Sequence, residues 1–257
     1  MWRKLRIALL LLILGVAAYS NWYDKYSTTD WDDTLWIGVF PINADDGQAG
    51  NAYITALNGA DVADIERFLN DQAHEYGVQI ERPVRVDLYP EVHEKPPARA
   101  GDGNIFSNLW WTLKVRLYAR RNSHPPGHPP PQIRIFVMYH DPEFNQSVPH
   151  SVGLQKGLVG VVNAFADRSM TRTNNVVIAH EILHTLGATD KYDPADLAPI
   201  YPDGYAEPDL DPRYPQHFTE IMAGRYAVDA HTFQMPESLA EVVVGDATAA
   251  EIRWIHR

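Results

Sequence analysis

Apolar positions along the chain fall into two periods, and their order outlines a fold. Leu35 to Phe40 is a short buried run closed by Pro41, which predicts a strand. Asn43 to Asn51 is rich in turn formers and reads as a loop. Asp61 offers an N-cap to a helix whose Val62, Ile65, Leu69 and Ala73 share one face and which ends at Gly77. Pro83 to Tyr89 alternates Val84, Val86 and Leu88, so strand, helix and strand follow one another. After a surface loop from Glu91 to Gly103, Ile105, Leu109, Leu113 and Leu117 recur at helical spacing and predict a long helix carrying Trp110 and Trp111 to about Arg120. The segment from His124 to Pro131 reads as an exposed polyproline excursion.

Ile133 to Tyr139 and Gly157 to Asn163 predict two more strands. A helix from about Asn174 to Leu186 follows, with Thr173 as its N-cap and Gly187 as its terminator. Asp190 to His217 is irregular and rich in Pro, Asp and Tyr, a length that marks function or disorder. The end reads as helix over Ser238 to Val243 and again over Ala247 to Ile255 behind Asp246. This order gives an α/β (α+β) domain whose helices cover a small mixed sheet.

Composition narrows the class. Lys and Arg number 22 against 33 Asp and Glu, a formal charge of −11, without the basic footprint of a nucleic-acid binder. Hydrophobic residues make up 45% of the 257, enough for a core. Cysteine is absent, which excludes disulfides, thiolate metal sites and thiol nucleophiles. Any metal must therefore sit on His, Asp or Glu.

The first residues change the picture again. Arg3, Lys4 and Arg6 precede an uncharged apolar run from Ile7 to Ala18, an export pattern that sets residues 1–22 apart from a domain over 23–257 whose folded part starts near Asp30. Two readings fit. Ala18 and Ser20 suit cleavage of a signal peptide, giving a secreted or periplasmic protein. Trp22, Tyr23 and Tyr26 suit the interfacial belt of a retained membrane anchor. Both place the domain outside the cytoplasm.

The chemistry is concentrated in one segment. His180 to Asp190 spells HExxHxxGxxD. On a helix, positions i and i+4 share a face, so His180 and His184 present two imidazoles to one ion, while Glu181 stands about 100° further round, beside the open coordination position. Gly187 permits a left-handed exit, and the reversed chain brings Asp190 in as third ligand. Three protein ligands and a water form the open arrangement of a catalytic zinc site. Glu207, Glu220 and His217 are rival third ligands.

HExxHxxGxxD resembles the signature of the metzincin zinc metallopeptidases, in the snapalysin-like variant with Asp for the third His. Glu220 to Gly224 (EIMAG) is similar to the family's Met-turn, which places Met222 beneath the metal. The resemblance covers about Ile133 to Tyr226. It implies a twisted, mostly parallel sheet with one antiparallel edge strand, Zn²⁺ as cofactor and a protein or peptide substrate lying extended along that edge, expected at Gly157 to Asn163. It also implies Glu181 as the base, with Tyr226 as a candidate stabiliser of the oxyanion. Two alternatives use the same residues: an amide hydrolase of a non-protein or cell-wall substrate, and a binding protein that keeps the metal for stability.

Overall fold

In the computed structural model, residues 28–98, 104–155 and 157–255 are described, with Trp2, Arg6, Ile7 and Gly15 as isolated positions before them. The signal-or-anchor reading of residues 1–22 lies outside the described residues. Among the described residues, no helix is long and apolar enough to cross a membrane.

A five-stranded mixed sheet organises the chain, with β1 (Leu35–Asn43), β2 (Val84–Leu88), β3 (Ile133–His140), β4 (Val152–Leu154) and β5 (Val159–Phe165) in the order β2-β1-β3-β5-β4. All pairings are parallel except β4 with β5. The expected edge position of Gly157 to Asn163 is therefore corrected: β5 is an inner strand, and the short β4 covers it. Three residues are too few for alternation to reveal β4 in the sequence.

Helices cover both faces. On one lie α1 (Gln48–Thr55), α2 (Ala63–Glu75) and α4 (Thr171–Leu186); on the other lies α3 (Ile105–Asn122). Ile37, Val39, Ile135, Val137 and Val162 meet Ile65 and Leu69 of α2 and Ile178 and Ile182 of α4 in the larger core. Phe40, Ile42, Phe136 and Val159 point the other way, onto Trp111, Val115 and Tyr118 of α3. Each of these fully buried aliphatic side chains contributes roughly 1.5–3 kcal/mol. The sheet thus holds α4, with the HExxH residues, rigidly from beneath.

Several local expectations are corrected. β1 continues through Pro41 to Asn43, because its pairing with β2 ends at Val39 and the proline's missing N–H falls beyond it. The stretch read as a loop contains α1, where the bare Gly50 lets the Asn43 side chain pack against the backbone. Thr173 lies inside α4, and Asp167 caps the 3₁₀ turn Arg168–Met170 that leads into it. Ser238 to Val243 forms a 3₁₀ turn (Leu239–Glu241) and a two-residue strand, β9 (Val242–Val243), rather than a helix. α5 is shorter than expected, Asp246–Glu251, with Gly245 at its N-cap.

The tail is also tied down. β6 (Thr219–Glu220) pairs with β9, and β7 (Tyr226–Ala227) with β8 (Phe233–Gln234). Bridges from Tyr192 to Pro199 and from Tyr205 to Thr219 order the irregular stretch between them.

Candidate metal centre

The centre is built from the end of α4. Gly187 takes φ +110 and receives the helix C-terminus: its N–H donates to His184 O, and the Ala188 N–H reaches back to Leu183 O. This is the double bond pattern of a left-handed helix stop, which only glycine adopts without strain. A side chain at Gly187 would also strike the Gln155 amide. Beyond the stop, the Lys191 N–H donates to Met222 O, so Asp190 is held between two anchored neighbours.

The two imidazoles are oriented by their far nitrogens. His180 Nδ1 lies 2.9 Å from Ile221 O, and His184 Nδ1 lies 2.9 Å from Ala188 O. A carbonyl only accepts, so each Nδ1 carries a proton and each Nε2 is turned into the site, where it donates to Asp190 and would offer its lone pair to a metal in place of that proton. Asp190 Oδ1 sits 3.2 Å from His180 Nε2 and 3.1 Å from His184 Nε2. The three ligands of the sequence reading are thus brought together. His180 and His184 are mostly covered, while the Asp190 side chain is 43% exposed, which leaves the centre open on one side.

Glu181 is buried beside them. Burial pushes its carboxyl pKa up; the histidine charges and the Gly153 N–H pull it back only in part. Its Oε2 has no hydrogen-bond partner among the described residues. Donor atoms of His180, Glu181 and His184 all lie within 4.8 Å of one another. For Asp190 burial acts upward as well, but the hydrogen bonds from both histidines win and hold it well below the usual carboxylate range. At His184 burial acts downward and is outweighed by Asp190 and Glu181, so its pKa rises.

The rival ligands are engaged elsewhere. Glu207 accepts from the His217 backbone N–H at 2.6 Å and faces the His217 ring at 3.1 Å. Glu220 is fully buried: Oε2 accepts from the N–H groups of Met222 and Ala223, and Oε1 accepts from the Gly245 N–H and the Thr248 hydroxyl. That carboxylate braces the turn containing Met222, itself fully buried, whose neighbour Ile221 orients His180. Tyr226 makes a contact of its own. Its hydroxyl donates to Gln234 Oε1 at 2.8 Å across the β7–β8 hairpin.

Other contributors were not visible to sequence reasoning. Gly153 of β4 lies against α4, and a Cβ there would come 2.5 Å from His184 Cβ and 2.6 Å from Glu181 O. The buried Lys191 donates from Nζ to Thr189 O, Thr189 Oγ1 and Glu251 Oε2, clamping the segment next to Asp190 onto α5. Tyr192 hydrogen-bonds Asp190, and its phenol pKa is raised by burial and by the charges of Asp190 and Glu181. No spacing rule links residues 189 to 191 with residue 251; the tyrosine two places past Asp190 was the one readable sign.

No protein-family model matches the sequence, and no curated protein does. Among solved structures, a chain from "Structure of a chaperone-substrate complex" is similar over 86% of this chain and 33% of that one, at 12% identity and a TM-score of 0.41. This chain therefore spans about a third of that one's length. A likeness so slight carries no argument about function.

Proposed function

We propose that the chain is a zinc-dependent hydrolase of peptide bonds with metzincin-like chemistry. One observation carries the reading: the Nε2 atoms of two imidazoles converge on Asp190 Oδ1, with a buried, partnerless Glu181 oxygen beside them. An unpartnered buried carboxylate oxygen is costly unless the site uses it. The donor set, two imidazoles and a carboxylate with one open side, fits Zn²⁺.

His180, His184 and Asp190 would hold the ion. When bound, Zn²⁺ supplies Lewis-acid chemistry, acidifying water and polarising a carbonyl. Glu181 takes a proton from water at its carboxylate and returns it to the leaving amine; the burial that raises its pKa makes it the better base. The Gly153 N–H steadies that carboxylate. The Nδ1 hydrogen bonds to Ile221 O and Ala188 O keep both rings turned inward. An extended peptide would add to the free side of β4, supplying backbone partners next to Glu181.

Glu181→Gln keeps the shape and removes the base. Peptide cleavage by this variant is expected to fall by roughly 10²–10⁴-fold while the zinc stoichiometry stays at that of the parent. Full cleavage with zinc retained would refute the assignment. A panel of peptides and non-peptide amides, each with and without a hydroxamate, separates peptide hydrolysis from other amide chemistry.

A further inference from the structure

The strongest feature outside the centre is helix α3, and it lies on the opposite face of the sheet from α4. Its inner side is apolar: Trp111, Val115, Tyr118 and Ala119 are buried against β1, β3 and β5. The outer side is apolar too. Leu109 is 69% exposed, Trp110 59%, Leu113 45% and Leu117 49%. A helix that is hydrophobic all round belongs in contact on all sides. Here, the side that the leucine spacing marks as the core face is turned out of the fold.

Charge decides what that side meets. Residues 105–122 contain Lys114, Arg116, Arg120 and Arg121 and no carboxylate, in a chain whose net charge is −11. All four cations are exposed, and no described carboxylate forms an ion pair with any of them. At 100° per residue three of them flank the apolar stripe, Arg116 beside Leu109 and Lys114 and Arg121 beside Trp110, while Arg120 falls in line with the stripe and closes its C-terminal end beyond Leu117. An apolar strip with tryptophan, bordered by cations, is the pattern of a helix lying in a lipid headgroup layer. A second copy would set four cations against four. The chain's own segment from Ile7 to Ala18 would bring Arg3, Lys4 and Arg6 toward the same charges.

We infer that the outer side of α3 seats the domain on an anionic lipid surface, with Leu109, Trp110, Leu113 and Leu117 entering the acyl boundary and the four cations meeting headgroups. Each cation near such a surface strengthens binding by roughly fivefold. The inference is independent of the catalytic reading.

The absence of cysteine makes the test clean, because a single introduced thiol is unique. The full chain carrying Leu113→Cys, spin-labelled, is added to phosphatidylcholine vesicles with or without about one third phosphatidylglycerol. Accessibility of the label to oxygen and to a water-soluble nickel chelate is measured, and Asp71→Cys, exposed on α2, serves as the control. With anionic lipid, the label at 113 is expected to become at least fivefold more accessible to oxygen than to nickel, and the label at 71 to stay aqueous. Replacing Lys114, Arg116, Arg120 and Arg121 together by Gln should abolish the response. A label at 113 that remains aqueous on both vesicles overturns the inference. So does one shielded from both reagents irrespective of lipid, which would mean protein covers the strip.

Discussion

The salt bridge between Lys191 and Glu251 offers the sharpest test of how the centre is held. Glu251→Ala removes the carboxylate that accepts from Lys191 Nζ at 2.7 Å, from the Thr189 N–H at 2.9 Å and from the Thr189 hydroxyl at 2.7 Å. The Lys191 side chain is only 7% exposed, so its charge is left poorly solvated. Breaking a buried pair costs about 3–5 kcal/mol. The Glu251 side chain is 31% exposed, and water takes up part of the loss, which brings the expected cost to about 2–3 kcal/mol. In a chain of this size that is a fall in melting temperature of roughly 5–10 °C, measured with a chelator present so that ligand binding does not mask it. Asp190 follows Thr189 directly and should lose its fixed position, lowering zinc affinity by about 10–100-fold in a competition titration. Adding Lys191→Met should recover part of the stability, because no buried charge then remains. If Glu251→Ala melts within a degree of the parent and binds zinc equally well, the clamp is irrelevant. If the double variant shows the plain sum of the two single losses, the pair is not coupled.

Further outcomes follow from the same geometry. Gly153→Ala forces a methyl into the backbone of α4 and should cost about 1–3 kcal/mol, seen in thermal unfolding, with hydrolysis falling further than stability as Glu181 shifts; an unaffected variant would mean β4 does not support the centre. Asp190→Ala should abolish zinc binding by the purified chain, whereas Glu207→Ala should leave it intact, and the reverse result would transfer the third ligand to Glu207. Glu251 titrates below its unfolded value of 4.5, since Lys191 and Thr189 overcome the opposing effect of burial. Its contribution to stability is therefore present above about pH 4.5 and lost as pH falls through its folded pKa. Chelated parent and Glu251→Gln should accordingly lie further apart in melting temperature at pH 7 than at pH 3, and a constant gap would contradict that linkage.

The centre was legible where its parts are local. One helical turn separates His180 from His184, and a glycine stop two residues before Thr189 redirects the chain, so spacing alone carries His180, Glu181, His184 and Asp190 into one place. β1, β2, β3 and β5 were legible for the same reason, since β-branched runs announce them, whereas the three-residue β4 was not. What failed depended on distance or on shape. Leu109, Leu113 and Leu117 have the period of a core face, yet the sheet took Trp111 and Tyr118, whose polar ends donate to Pro97 O and Glu94 O in the neighbouring loop. Periodicity cannot see such a partner. Gly153 and Glu251 act through close approach and charge from elements remote in sequence.

The ring hydrogen bond from His180 ends on Ile221, the backbone next to Asp190 ends on Met222, and the clamp ends on Glu251. A nascent polypeptide that has emerged only as far as Asp190 has both imidazoles, the carboxylate and the Ala188 carbonyl that orients His184, but none of the partners that fix His180 and Asp190. Assembly of the centre thus waits for synthesis of the C-terminal segment, and on the proposed reading metal loading would be a late event that reports a finished molecule.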